Sequence, residues 1–510
     1  MARDYRPLDR DQLFLLPPDM RSWLPEDHFV WFLLAVVDRL DMSVFEQGRR
    51  LGGVGRRGFD PRMLLALLIY AYACGHRSSR RIEDLCGTDV AFRVICAQDP
   101  PDHSTIARFR QDNTEAVESL FVQVLELAGQ AGLGRVGVVA IDGTRLAANA
   151  SHQANRRRSW LAEQVAAMMS EAEETDQAED DLVGKDSNPS RVDPDWCDPT
   201  TRAARITAAL ARAEQAAATA TAPHRARTEA AQDRVRRAEQ KVADTWAAAT
   251  ERQQAYQQRQ ADAETRSGFG ARPEGGAPKP PGENAQARDA QTRLDNAKDR
   301  LASATTALVE AEAGLDPRAN LTDPDSGWMP TSKGWIQGYN TQLAVSDDQI
   351  ILAVKVTNAT IDMHQFEPMM TAALTAAQVL DRGRARAGGP AEPVGLLLAD
   401  AGYLTEHNLT VEGPDRLIAT GKGGQLQAAT CQGRPATHKS ELIEQMSIRL
   451  ATPEGMAAYR RRGVTVEPVN GHLKDRHGLR QFSRRGLPAV QAEAELAAAT
   501  ANLLKIWRQR

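Results

Sequence analysis

Three acidic residues that lie far apart in the chain have the sequence surroundings of metal-binding carboxylates. Asp142 ends the apolar run Val138–Ile141, and Asp400 ends the apolar run Leu396–Ala399. Short apolar runs of this kind are typical of buried strands, and the end of a strand is a rigid place for a ligand. Glu467 follows a basic cluster on a predicted helix. Carboxylates on separate elements can together hold two Mg²⁺ ions about 3.5–4 Å apart, an arrangement that catalyses phosphoryl transfer.

Each acid could also have a purely structural role. An aspartate at a strand end can cap a turn, and a glutamate in the first turn of a helix is favoured by the helix dipole. We predict that the helix of Glu467 begins at Thr465, because Pro468 is best tolerated in a first turn. Glu467 and Lys474 are seven positions apart and therefore share one helix face. The three acids together with Lys474 favour the metal site.

The overall composition does not indicate a nucleic-acid-binding protein. The chain has 510 residues, of which 42% are hydrophobic, and a formal net charge of −4. This length predicts two or more domains. Contacts with DNA would have to come from local basic patches, such as Arg460–Arg462 together with Arg476. The alternative for this patch is a solvated helix face.

Cysteine spacing and hydropathy indicate a soluble, cytoplasmic protein. The five cysteines form no C-x-x-C pair, which argues against a zinc ribbon or a disulfide framework. The longest apolar run, Met63–Cys74, is shorter than the roughly 20 residues that cross a bilayer. We therefore expect no contact with a membrane.

Residues 1–133 are predicted to form a helical N-terminal domain. Asp60-Pro61 and Asp102 are typical helix starts. Short helices with basic residues such as Arg108 and Arg110 suit a helix-turn-helix-like domain that binds DNA. An ordinary helical bundle with solvated arginines is the alternative.

Residues 156–319 are predicted to form an inserted α-helical coiled-coil hairpin. Two segments have apolar residues at seven-residue spacing, and the glycine- and proline-rich stretch 267–282 between them cannot continue a helix. The simplest geometry is an antiparallel pair of helices. The residues with this spacing are Val235, Val242, Ala249 and Tyr256 in the first segment, and Leu294, Leu301, Leu308 and Leu315 in the second.

Residues 134–155 and 320–510 are predicted to form one α/β domain, interrupted by the insertion. The strand that ends at Asp142 is followed, after the insertion, by the strands Gly338–Val345 and Ile350–Thr357. A helix, the strand that ends at Asp400, another strand and the helix of Glu467 follow. This is the element order of an RNase H-like fold. Asn340, on a strand beside Asp142, could approach the site.

Three sequence motifs resemble those of the DDE transposases of bacterial insertion sequences, in particular the group numbered eleven eighty-two. The resemblance covers about residues 10–155 and 320–507. Six residues separate Glu467 from Lys474, as in the family, but four separate Arg462 from Glu467, where the superfamily usually has three. Arg461 is therefore an alternative to Arg462. The matching residues are Ile141–Thr144, Asp400–Tyr403, and the Tyr-Arg-Glu-Lys signature at Tyr459, Arg462, Glu467 and Lys474.

The resemblance implies a metal-dependent reaction on DNA. Asp142, Asp400 and Glu467 would hold two Mg²⁺ ions, with Mn²⁺ as a possible substitute. Activated water would cut DNA at the transposon ends, and the freed 3′ hydroxyl would attack target DNA. The partners would be both DNAs and a second copy of the chain, in a homodimeric synaptic complex at the nucleoid. DNA contacts are expected at Tyr459, Arg461 or Arg462, Lys474 and Arg476.

Three other functions are compatible with the same motifs. The chain could be a DNA-binding regulator derived from a transposase, or a simple RNase H-like nuclease. It could also be a scaffold in which the coiled coil is the functional part. The presence of all three acids argues against the regulator.

Overall fold

The computed structural model describes residues 19–47, 58–183, 202–267, 276–331, 334–421 and 440–509. The chain divides into a first unit, Met1–Ala154 with Thr322–Arg510, and a second unit, Asn155–Leu321. In the described ranges, no helix is long and apolar enough to cross a membrane.

The first unit is built on a mixed sheet with β1 at its centre. β1 is antiparallel to β5 and parallel to β7, and β7 is parallel to β8. The far edge of β5 pairs with β4 and then with β6, both antiparallel. The strands of this sheet are β1 (Val138–Ala147), β4 (Gly327–Thr331), β5 (Gly334–Ser346), β6 (Ile351–Thr357), β7 (Leu396–Ala399) and β8 (Asp415–Ile418). The second unit contains β2 (Asn155–Arg157) and β3 (Arg318–Asn320).

The position of Asp142 in its strand differs from the prediction. β1 continues to Ala147, so Asp142 lies in mid-strand. The strand is longer than its apolar run because it stays paired with β5 as far as Ala147, opposite Gly338. Asp142 and Thr144 are two positions apart and therefore share one face of the sheet. Asp400 directly follows β7, as predicted.

The helices of the first unit share one hydrophobic core with the sheet. The last helix, α15, packs against β6 and against α3 and α7 from the N-terminal region. The helices of the first unit are α1 (Phe29–Val37), α2 (Ser43–Glu46), α3 (Pro61–Ala73), α4 (Ser79–Thr88), α5 (Val90–Ile95), α6 (His103–Asp112), α7 (Ala116–Gln130), α11 (Phe366–Arg386), α12 (Glu406–Thr410), α13 (Glu441–Ala451), α14 (Pro453–Asp475) and α15 (Leu487–Arg508). The helices of the second unit are α8 (Arg158–Val183), α9 (Arg202–Ser267) and α10 (Ala285–Ala313). Short 3₁₀ turns in the described parts of the chain are Met20–Trp23, His152–Ala154, Pro281–Glu283 and Ala401–Tyr403.

The helix of Glu467 begins well before Thr465, so the predicted start was wrong. The Thr452 side chain accepts a hydrogen bond from the Gly455 N–H, and a proline follows Thr452 at the first helical position. Pro468 therefore lies inside α14 and cannot donate to the Val464 carbonyl. The Gln349 Nε2 donates to that carbonyl instead, at 3.0 Å.

The described residues of the second unit are mainly helical and include the short strands β2 and β3. α9 and α10 run antiparallel to each other: the Arg225 Nη2 lies 2.9 Å from Glu312 Oε1, and the Thr228 hydroxyl donates to the Ala304 carbonyl at 3.3 Å. β2 and β3 pair at the base of the unit, with Asn155 opposite Asn320. Residues 268–275 of the predicted connection lie outside the described residues.

Candidate functional site

The three acids singled out in the sequence surround one guanidinium group. Arg462 Nη2 lies 2.7 Å from Asp142 Oδ1 and 3.9 Å from Asp400 Oδ2, and Arg462 Nη1 lies 4.0 Å from Glu467 Oε1. The structure therefore brings together β1, the turn after β7 and helix α14. It also favours Arg462 over Arg461 as the arginine of the site.

Exposure of the side chains increases from the floor of the site to its rim. The side chains of Asp142 and Arg462 are each 14% exposed, that of Asp400 43% and that of Glu467 68%. The Asp400 carboxylate accepts the Gly402 N–H at 2.9 Å, which fixes it at the start of its turn. Among the described residues, the exposed Glu467 carboxylate accepts no comparable hydrogen bond.

The Asp142 carboxylate is costly to ionise where it lies. Burial raises the pKa of Asp142 to about 6; Arg462 opposes this shift and the Asp400 charge adds to it. An additional positive charge beside Asp142 would therefore be stabilised.

The remainder of α14 holds Asp142 and its strand from one side. The Asn470 Nδ2 donates to Asp142 Oδ2 at 2.9 Å. The Lys474 ammonium donates to the Thr144 hydroxyl. Glu467, Asn470 and Lys474 are spaced by three and four positions, so they share one helix face. Sequence analysis did not single out Asn470, although its spacing from Glu467 was a usable signal.

The donor atoms of the site are of the kind that divalent cations prefer. Within the described ranges, no three acidic, histidine or cysteine side chains are close enough to hold a metal ion together. The three carboxylates nevertheless point at one cation, Arg462. The Asn470 Oδ1 is buried and has no hydrogen-bond partner among the described residues. Carboxylate and amide oxygens are suitable ligands for Mg²⁺, so the residues fit a metal site once Glu467 turns inward and Arg462 withdraws.

Two protein-family models match the chain. One, described as a transposase domain (DUF772), matches residues 18–112, and the other, described as a transposase DDE domain, matches residues 427–507. The two matches support a DDE transposase of an insertion sequence. The second match includes Arg462, Glu467 and Lys474, whereas Asp142 and Asp400 lie outside both matched ranges. No curated protein and no solved structure shows a significant match to this transposase.

Two of the remaining predicted DNA-binding residues of the transposase lie on α14 close to the site. The Tyr459 hydroxyl donates to the Ala399 carbonyl at 3.3 Å, so this half-buried ring packs beside the end of β7. Arg461 forms an exposed ion pair with Asp347, with the Arg461 Nη2 2.6 Å from Asp347 Oδ2. Arg476, at the end of the helix, is exposed.

The arginines predicted to bind DNA through the N-terminal helices differ from each other in their surroundings. Arg108 is exposed on α6. Arg110 is only partly exposed, and its guanidinium donates to the Arg77 carbonyl at 2.7 Å and to the Ser79 hydroxyl at 2.5 Å. Arg110 therefore links α6 to the segment that contains Arg77 and Ser79. The exposed Arg108 is available to bind a ligand.

Asp362, in the turn after β6, is a further polar residue near the site that was not among the predicted ones. Its carboxylate accepts hydrogen bonds from Arg145, Asn340 and Gln342, on the two central strands. The prediction was that Asn340 could approach the site; its side chain donates a hydrogen bond to Asp362, and its Oδ1 would lie 3.2 Å from a Cβ atom on Gly143, the residue after Asp142. No periodic pattern marks Asp362, so only the paired strands reveal its position.

Proposed function

We propose that this transposase cleaves DNA at transposon ends and joins the freed 3′ hydroxyls to target DNA by metal-dependent phosphoryl transfer. The observation that carries the proposal is the convergence of Asp142, Asp400 and Glu467 on Arg462, within 4.0 Å of its guanidinium. Three carboxylates from three separate elements around one cation form an arrangement suited to phosphoryl transfer.

The sheet supports an RNase H-like catalytic domain. In spatial order its strands are β6, β5, β1, β7 and β8, with β5 antiparallel and β7 parallel to β1, and the short β4 pairs with the same edge of β5 as β6. Two antiparallel strands on one side of the central strand and two parallel strands on the other are what that fold requires. The division into residues 1–133, residues 134–155 with 320–510, and a coiled-coil insertion at 156–319 belongs to the same proposal.

Asp142, Asp400 and Glu467 would hold two Mg²⁺ ions, or Mn²⁺ in their place. When bound, such ions supply an activated water and stabilise the charge on the leaving oxygen. Asn470 orients the Asp142 carboxylate, because its Nδ2 donates a hydrogen bond to Asp142 Oδ2. Exposed Glu467 completes the ligand set from the rim.

Basic side chains around the site would bind the DNA backbone. Lys474 is held at Thr144, two positions from Asp142 on the same strand face, so its ammonium can reach a phosphate near the scissile bond. Arg461 is exposed on α14 and Arg476 is exposed directly after its last residue, whereas the half-buried Tyr459 bonds to the Ala399 carbonyl. Arg462 could exchange its carboxylate contacts for a phosphate. Arg108 would contribute from the N-terminal helices and Arg110 would support them.

Transposon-end DNA and target DNA would be the partners, with two copies of the chain in the synaptic complex at the nucleoid. Membership of the group numbered eleven eighty-two is part of this proposal. The inserted helices could reach the second copy or the flanking DNA.

The direct test is cleavage of a duplex that carries the transposon end in the presence of Mg²⁺. Asp400→Asn should reduce the cleavage rate about 10³-fold or more, because ligands of one catalytic unit cannot replace one another. Asp415→Asn is the matched control: Asp415 lies at the opposite end of the paired strands β7 and β8 and forms an exposed ion pair with Arg449. Undiminished cleavage by Asp400→Asn would contradict the assignment.

The same reaction separates the transposase from its alternatives. Joined products between transposon ends and a target plasmid are expected from the wild-type protein. Cleavage without joining would indicate a simple nuclease. Binding to the ends without cleavage would indicate a regulator.

A further inference from the structure

Asp362 forms the centre of a polar network between the two central strands. Its side chain is only 14% exposed. Its Oδ1 accepts the Asn340 Nδ2 at 2.6 Å and the Gln342 Nε2 at 2.8 Å, and its Oδ2 accepts the Arg145 Nη2 at 3.3 Å. Asn340 and Gln342 are two positions apart on β5 and therefore share one face of the sheet. Arg145 lies opposite Asn340 on β1. One carboxylate thus connects β1, β5 and the turn after β6.

The same carboxylate lies against a glycine of each acidic motif. A Cβ atom on Gly143, the residue after Asp142, would be 2.8 Å from Asp362 Oδ1. A Cβ atom on Gly402, in the turn after Asp400, would be 3.3 Å from Asp362 Oδ2 and 3.0 Å from Asp400 Oδ1. These distances leave little or no room for a side chain at either position. Asp362 therefore occupies the space between the two motifs.

Gln342 transmits the orientation of Asp362 to the turn of Asp400. Because the Gln342 Nε2 donates to Asp362, its Oε1 faces the other way and accepts the Tyr403 hydroxyl. Tyr403 is fully buried. Burial raises the pKa of Tyr403, and the charges of Asp362, Asp142 and Asp400 raise it further, so the hydroxyl remains a donor.

Tyr403 in turn belongs to the short turn that orients the second acid. The Tyr403 N–H donates to the Asp400 carbonyl at 3.2 Å. In the same turn, the Gly402 N–H donates to the Asp400 carboxylate at 2.9 Å. A continuous path of hydrogen bonds and backbone therefore leads from Asp362 through Gln342 and Tyr403 to Asp400.

We infer that Asp362 is a positioning residue that sets the direction of the Asp400 carboxylate for metal binding. This inference rests on the proposed function. Asp362 acts through Gln342 and Tyr403 and does not bind the metal itself, because its two oxygens already accept hydrogen bonds from three side chains. A purely structural network would stabilise the sheet without affecting the metal.

Titration of the full-length protein with Mn²⁺ distinguishes these roles. Asp362→Asn leaves one acceptor oxygen for three donors and removes the negative charge, which weakens the hydrogen bond that holds Gln342 against Tyr403. We expect the Mn²⁺ affinity to fall about 10–100-fold, as for other residues that orient metal ligands. Tyr403→Phe breaks the other end of the path without changing a charge, and should weaken Mn²⁺ binding in the same way. The double variant should be only slightly worse than either single one.

Asp381→Asn is the matched control. Asp381 is 26% exposed and accepts the Arg384 guanidinium at 2.6 Å, outside the network. Its loss should lower the melting temperature and leave the Mn²⁺ affinity unchanged. If Asp362→Asn does not fold, Tyr403→Phe decides the question alone.

Two results would overturn the inference, and they differ. If Asp362→Asn or Tyr403→Phe is less stable but binds Mn²⁺ as tightly as the wild-type protein, Asp362 is only structural and the proposed function stands. If the wild-type protein shows no Mn²⁺ binding that Asp400→Asn weakens, the proposed function fails and the inference fails with it.

Discussion

Arg462 balances the charge of the acidic residues at the floor of the site. Its side chain is 14% exposed, like that of Asp142, and the two are 2.7 Å apart. Without this cation, Asp142 would be a buried carboxylate close to Asp400, which is an unfavourable arrangement. The arginine therefore makes three neighbouring acids tolerable in one place.

Paired substitutions test which arginine serves the site. Arg462→Gln should slow cleavage of transposon-end DNA about tenfold or more, because it removes the cation beside Asp142. Arg461→Gln removes an ion pair with Asp347, in which the Arg461 side chain is 44% exposed. Exposed ion pairs contribute about 0–1 kcal/mol to the free energy of unfolding. Because Arg461 is also a proposed DNA contact, we expect weaker DNA binding, but a cleavage rate at saturating DNA that changes less than about threefold. Equal losses in the two variants, measured under the same conditions, would contradict this assignment.

Residue types and spacing could predict part of the site. Asp142, Asp400, Glu467 and Lys474 follow from motifs with a chemical reason. Asp362 could not be predicted in this way, because its neighbours depend on the register of β1 against β5.

At the scale of elements, α14 shows how a local rule can be outweighed by a distant contact. Pro468 indicated a helix start near Thr465, yet the helix begins at Pro453. The Val464 carbonyl has no backbone donor in the helix, because proline at position 468 lacks an N–H group. It accepts a hydrogen bond from the side chain of Gln349, in the turn between β5 and β6. The sequence shows the Thr452-Pro453 start signal but not this compensation. The predicted strand Ile350–Thr357 agrees with β6 to within one residue.

The packing of α15 against α7 should depend on pH through Glu495. Burial raises the pKa of Glu495 to about 7; the Gln491 hydrogen bond opposes this shift and the Glu118 charge adds to it. The pKa in the fold lies above the unfolded value of 4.5. The stabilising contribution is therefore complete below about pH 4.5 and is lost as the pH rises through about 7.

Glu495→Gln should remove this dependence. In the wild-type protein the Gln491 Nε2 donates to Glu495 Oε1 at 2.8 Å. The variant keeps an oxygen that can accept this hydrogen bond, but it cannot ionise. Its free energy of unfolding should exceed that of the wild-type protein by about 1–3 kcal/mol at pH 8, with little difference at pH 4.5. Thermal melts at both pH values provide the measurement. An equal difference at both would show that Glu495 does not titrate as inferred.

At the scale of the whole molecule, the N-terminal helices and the sheet share one core. Their sequences predict helices over residues 1–133 but not the surface that these helices cover. Periodicity marks the buried face of α7, whereas its partners α11 and α15 come from the other end of the chain. Such long-range pairings cannot be read from local patterns.

The strand pair β2–β3 makes the second unit removable by a defined deletion. Arg157 lies directly opposite Arg318. Replacing residues 158–317 by Asn-Gly would close the two strands with a two-residue hairpin turn. The first unit should stay folded, with Mn²⁺ affinity within about twofold of the full-length value, because its core and site residues are all retained.

Failure of this variant to fold, or loss of its Mn²⁺ binding, would contradict the division into two units. The same variant tests the inserted helices. If pairing of transposon ends and the oligomeric state are unchanged, the helices do not bridge two copies or contact flanking DNA.

The most direct test of the site is to locate Mn²⁺ by anomalous diffraction in crystals of the transposase bound to transposon-end DNA. We predict manganese peaks between Asp142, Asp400 and Glu467, with Glu467 turned inward and Arg462 moved off Asp142 toward a phosphate. Manganese bound elsewhere, with Arg462 still paired to Asp142 in the presence of DNA, would contradict the assignment of these three acids as the catalytic site.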